Sequence, residues 1–205
     1  PLTAVVNFVE GALMRLEAGD DGPAVQSALV DAAAQARRAA SIVRRLRALF
    51  SQQAPQWQVV AANELLARAA SLLALDVERE AIQLEVQGTP PDLTLTADTL
   101  QIELVLVNLL RNAVECFRDR AWMPRRIVVR ARAASGGVEI VVHDTGPPVA
   151  AEVRGRLFES FLTTRSDGSG TGLFLASAVV RSHEGRIWLE DTADGKSFIF
   201  LIPTR

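Results

Sequence analysis

Asn108 and Asn112 stand four residues apart with Arg111 between them, and their types and spacing suit chemistry. On a helix, i and i+4 positions aim at one point. A side-chain amide oxygen is a hard ligand for Mg²⁺, and a guanidinium reaches phosphate. Asn is also a mediocre helix former that prefers caps and turns. The plainer reading is the solvated stripe of an amphipathic helix, and these residues alone leave both open. A second candidate is Asp144, which ends an apolar run and is followed by Gly146 in HDTGPP. A carboxylate there can accept from a base amino group or simply cap a turn. The third is GSGTGL, where Gly168, Gly170 and Gly172 precede an apolar run. Such glycines let backbone N–H groups approach an anion at a helix start. A GxG is not diagnostic by itself, and neither GxxxxGK[ST] nor the dinucleotide GxGxxG context is present.

The elements that position these residues follow from periodicity. Gln101 to Cys116 has no Gly or Pro and reads as a helix. Ile102, Leu106, Leu109, Leu110, Ala113 and Phe117 line one side, and Gln101, Asn108, Arg111, Asn112 and Glu115 the other. Asp98 followed by Gln101 resembles a capping box at its start. Upstream, WQVVAA suggests a strand, Asn63 to Leu75 a helix, and Ala81–Gln87 and Leu93–Thr96 two further strands. Arg126–Ala133 and Gly137–Asp144 read as a hairpin around Ser135-Gly136-Gly137. Pro147 to Asp167 is a connection long enough to suggest function. Thr171 to Ser182 is helical, and Arg186–Glu190 and Ser197–Ile202 close the chain as strands. Strands and helices mix without strict βα alternation, which suggests an α+β sandwich with helices on one face of a sheet.

Ahead of that lies a helical segment. Leu2, Val5, Val6, Val9, Leu13 and Leu16 recur at helical spacing, and GDDGP stops the helix. Val25, Leu29, Ala32, Ala36, Ala39, Val43, Leu46 and Phe50 then alternate four and three apart, as in a coiled coil. Ala33, Ala40, Ile42 and Leu49 widen that stripe beyond what one partner helix covers. The expectation is an antiparallel helical hairpin that dimerises into a four-helix bundle. Arg37, Arg38, Arg44, Arg45 and Arg47 form a basic run, read as solvated coating or as a surface for an acidic partner. The polar SQQAPQ stretch divides the chain into 1–54, the helical domain, and 55–205, the sandwich.

Bulk properties exclude several classes. With 205 residues, 49% apolar and 22% charged, the chain has an ordinary globular composition. Its net charge of −2 gives no electrostatic case for nucleic-acid or membrane binding. One cysteine, Cys116, excludes an internal disulfide and a cysteine metal cage, and is read as a small buried thiol. No run is long enough to span a bilayer and nothing resembles a signal peptide, so a cytoplasmic location is expected, with a parent that can be membrane-anchored.

Taken in order, NLLRNAVE, HDTGPP, LFESFLTTR and GSGTGL resemble the N box, first glycine box, F box with lid, and second glycine box of one family. It is the catalytic ATP-binding domain of two-component sensor histidine kinases, within the GHKL ATPase group. Within it, PLTAV and RRLRALF are similar to the hairpin of the nitrogen-regulation and oxygen-sensing branch. The resemblance covers nearly the whole chain. It implies a histidine-kinase-type α/β sandwich that binds ATP and Mg²⁺, with Asn112 as metal ligand and Asn108 and Arg111 near the triphosphate. Asp144 would accept from the adenine amino group and Gly146 leave room for the base. Gly170, Thr171, Gly172 and Leu173 would meet the phosphates, while Thr164 and Arg165 belong to a lid. The implied reaction moves the γ-phosphate of ATP to a histidine expected just upstream of Pro1, then to a response-regulator receiver aspartate. Without that histidine, this chain is expected not to autophosphorylate. His143 and His183 are read as structural. Pro148 replaces a usual Gly and Phe174 a usual small residue, which keeps an alternative open. In it, the chain is a dimeric phosphotransferase or docking scaffold with a degenerate domain that does not use ATP. A GHKL chaperone or repair ATPase is disfavoured by the heptad hairpin.

Overall fold

In a computed structural model the described residues are 2–19, 22–33, 35–36, 56–118, 124–159 and 171–204. The chain divides into two compact units, Pro1–Gln52 and Gln53–Arg205. In the first unit, α1 (Leu2–Glu17) ends in a turn with Gly19 at φ +80°, and α2 begins at Pro23 and runs through 23–33. Proline there is pre-set for a helical first turn. Ala12, Val25 and Ala32 are buried, whereas Val6, Leu13, Met14, Leu16, Leu29 and Val30 are exposed apolar residues. The later part of the expected hairpin, including the Arg37–Arg47 run, lies outside the described residues.

The second unit opens with β1 (Gln58–Ala61), which pairs antiparallel with β3 (Thr94–Ala97). The helix expected over Asn63–Leu75 forms as two pieces, α3 (Ala62–Ser71) and α4 (Ala74–Arg79). Ser71 Oγ donates back to the Ala67 carbonyl, and Leu73 N–H donates to Ala70, three residues back. Both bonds tighten and bend the helix end, and Leu73 turns into the core there.

Five strands build the main sheet: β2 (Gln83–Gln87), β4 (Arg126–Ala134), β5 (Gly137–Asp144), β6 (Arg186–Thr192) and β7 (Gly195–Pro203). Their order is β2-β4-β5-β7-β6, with β2 parallel to β4 and every other pair antiparallel. The alternating residues Ile127, Val129, Val138, Ile140, Val142, Phe198 and Phe200 form one core with α3, α5 (Thr99–Glu115) and α7 (Gly172–Ser182). The opposite face packs side chain on side chain. Arg186 lies 4.8 Å over the Trp188 ring, and Arg132 pairs with Glu139. A short helix, α6 (Ala151–Arg154), forms inside the long connection. Among the described residues no helix is long and apolar enough to cross a membrane.

Asp98 ties the layers together. Its Oδ1 accepts from Gln101 N–H at 3.1 Å, which caps α5, and its Oδ2 accepts from Gln56 N–H at 3.0 Å. In a full capping box the Gln101 side chain would take the Asp98 N–H. Here that N–H donates to His183 Nε2 at 3.1 Å. His183 Nδ1 therefore carries the proton, donated to the Val179 carbonyl at 2.9 Å. The ring is buried, and Trp57 meets it edge-on at 4.9 Å. This histidine joins α7 to the start of α5.

Candidate nucleotide site

The helix α5 carries Asn108, Arg111 and Asn112, and its apolar face explains their placement. Ile102, Leu106, Leu109, Leu110 and Ala113 are buried against the sheet. Truncating one such Leu to Ala costs about 2–5 kcal/mol, which fixes the rotation of the helix. Arg111 and Asn112 are then half-buried. Asn108 is not on a solvated stripe. It is 4% exposed, and its Nδ2 has no hydrogen-bond partner among the described residues. The reason is α7, which packs against α5 so that a Cβ added at Gly172 would lie 3.5 Å from Asn108 Oδ1. The start of α7 thus stands beside the polar side of α5.

The cap residue of α7 is Thr171, with no side-chain capping bond of its own. The first N–H groups of a helix lack intrahelical acceptors, so those of Gly172 and Leu173 are available to an anion. Leu173 also packs against the core. Thr164, Arg165 and Gly170 lie outside the described residues. Pro148 is exposed and Phe174 half-buried.

Asp144 ends β5 and is 0% exposed. Its Oδ1 accepts from Gly146 N–H at 2.9 Å and from Lys196 Nζ at 2.5 Å, and Cys116 Sγ lies 3.4 Å away. Its Oδ2 is buried with no hydrogen-bond partner among the described residues. A Cβ at Gly146 would run into Cys116 Sγ and Asp144 Oδ1, so only glycine allows this approach. Thr145 fixes the strand end: its N–H donates to the Arg126 carbonyl and its Oγ1 to the Pro124 carbonyl. A buried, aligned acceptor without a donor is costly unless a ligand supplies one.

Sequence reasoning missed Lys196 and placed Cys116 without a role. Cys116 is half-buried and turned toward the carboxylate, although it also lies 3.0 Å from the Ala113 carbonyl. Lys196 was hidden because a Lys at a strand start ordinarily reads as solvated. Pairing of Asp144 with Lys196 across β5 and β7 is a matter of register. His143, on the other face, meets Ser197 Oγ at 3.2 Å and Asp194 at 3.6 Å, away from Asp144 by the alternation of β5.

Among the described residues no group of three or more His, Cys, Asp or Glu is placed to hold a metal. A metal here would rest on amide oxygen and ligand phosphates, as Mg²⁺ commonly does.

Residues 97–205 match the histidine kinase-, DNA gyrase B- and HSP90-like ATPase family. The chain belongs to that family. Its relatives are sensor histidine kinases, and the sandwich is their ATP-binding catalytic domain. The sensor protein FixL of Bradyrhizobium diazoefficiens is 36% identical over 99% of this chain and 41% of its own. Full-length ShkA in complex with AMPPNP superposes with a TM-score of 0.70 at 25% identity, covering 87% of this chain and 38% of that one. The kinase ThkA in complex with the response regulator TrrA gives 0.68 at 25% identity, covering 98% and 58%. The chain spans about two fifths of the FixL relative's length.

Proposed function

We propose that this chain is the dimerisation and ATP-binding core of a sensor histidine kinase, with a helical domain at 1–54 and a catalytic domain at 55–205. One observation carries this reading: a fully buried Asp144 with one oxygen that has no partner among the described residues. Asp144 Oδ2 accepts from the adenine amino group, and Gly146 makes room for the ring. At the other end Asn108 and Arg111 face the triphosphate, with the N–H groups of Gly172 and Leu173 beyond. Asn112 offers its amide oxygen to Mg²⁺. When bound, Mg²⁺ supplies the positive charge that offsets charge building on the phosphates during transfer. Positioning by these residues is then most of the catalysis. In the intact kinase the γ-phosphoryl passes to a histidine nitrogen, leaving ADP, and from there to a receiver-domain aspartate. The complex of ThkA with a response regulator supports a partner of that kind. The exposed apolar residues of α1 and α2 support homodimerisation through the helices. A cytoplasmic site of action fits a nucleotide-using domain, with no nucleic acid or membrane contact of its own.

Calorimetric titration with ATP and ADP, with and without Mg²⁺, tests the reading. Saturable binding that tightens with the metal is expected. No binding at millimolar nucleotide would overturn it in favour of a scaffold or phosphotransferase that does not use ATP.

A further inference from the structure

Lys196 is the chain's single lysine: its 22 basic residues are otherwise arginine. It is also 5% exposed, whereas lysines almost never lie buried unless paired. Its ammonium is 2.5 Å from Asp144 Oδ1 and 2.9 Å from the Pro147 carbonyl. A compact ammonium fits this corner, where a planar guanidinium would need more room. The space is close: a Cβ at Gly146 would come within 3.3 Å of Nζ.

We propose that Lys196 is a positioning residue for base recognition, engaging Asp144 Oδ1 and holding the carboxyl turned so that Oδ2 meets the nucleotide base. This rests on the reading of Asp144 as the base-binding residue. Among the described residues the side chains on Asp144 Oδ1 are Lys196 on β7 and the Cys116 thiol at the end of α5, and Lys196 is the cationic one of the two. Without it Oδ1 keeps Gly146 N–H and the thiol, and the carboxyl is free to turn away from the base. Adenine presents an amino donor to Oδ2, whereas hypoxanthine presents a carbonyl oxygen at the same position and gains nothing from that alignment. Lys196 therefore sets the preference for amino over carbonyl purines without touching the base.

The test is calorimetric affinity of the wild-type chain and Lys196→Met for ATP–Mg²⁺ and ITP–Mg²⁺. The wild-type chain is expected to prefer ATP. In Lys196→Met, ATP affinity should fall about tenfold or more, the scale of one hydrogen bond to a charged acceptor. ITP affinity should change little, so that the preference for ATP shrinks. A merely structural lysine would weaken both nucleotides together. Thermal melting without nucleotide reports the fold, and Lys196→Gln, which keeps a donor without charge, carries the same measurement where the Met variant does not fold. An unchanged ATP-to-ITP ratio in the folded variant overturns the role of Lys196 while leaving the ATP site standing. Absence of ATP binding by the wild-type chain removes both.

Discussion

At the proposed base end of the site, Asp144 is sealed from solvent and held by Gly146 N–H and Lys196, with one oxygen left without a partner among the described residues. At the phosphate end, Arg111 and Asn112 stand half-buried on a helix face, and the segment before Thr171 lies outside the described residues. The difference suits what each end is proposed to bind. A base is flat, neutral and read by single hydrogen bonds, so its site works best dry and rigid. A metal triphosphate is charged and hydrated, and must be approached by groups that keep access to water. Stability and binding should therefore be coupled at the base end and separable at the phosphate end.

Asp144→Asn is the sharpest way to break that contrast. It leaves the buried Lys196 ammonium without its anion, which costs about 3–5 kcal/mol. Chemical denaturation should show that loss, and adenine nucleotide binding should vanish with it. A variant of unchanged stability would mean the pair is not buried as described. Gly146→Ala comes next: its Cβ meets Cys116 Sγ and Asp144 Oδ1. Overpacking of this kind costs about 1–3 kcal/mol, and adding Cys116→Ala should restore part of both melting temperature and ATP affinity. Strict additivity of the two changes would separate the residues.

At the phosphate end Asn112→Ala should change stability by no more than about 0.5 kcal/mol, as for other partly exposed positions. Its ATP affinity should become insensitive to Mg²⁺, read by titration with and without the metal. Retained Mg²⁺ dependence would move the ligand elsewhere. The smallest effect is expected away from both ends. Arg126 hydrogen-bonds Glu85 across β2 and β4 and, with Gln87, holds its carboxyl below the ordinary 4.5. A lowered value means that the stabilisation is present above 4.5 and is lost as pH falls through the folded value. Glu85→Gln should thus lower the melting temperature slightly near neutrality and converge with wild type in acid. Parallel melting curves across pH would show that the pair contributes nothing.

Much of the site was legible because its signals are local. Asp98 announces the start of α5, the absence of Gly and Pro sustains it, and Asp144-Thr145-Gly146 marks a strand end that needs a glycine. The break at Leu72–Leu73 was not legible, since it depends on Ser71 bonding back to its own helix. Nor was the Asp98–His183 bond, which joins residues 85 positions apart.

By itself the sequence determined the order of boxes, the helix that bears Asn108, Arg111 and Asn112, and the mixed α+β character, because periodicity and turn chemistry act over a few residues. Only the tertiary structure decided which polar groups lose their water. Asn108 is buried because α7 packs against α5, and Lys196 is buried because the β5–β7 register sets it opposite Asp144. Desolvation sets Asp144 and Lys196 apart from ordinary surface charges, and it depends on packing between segments that no local pattern encodes.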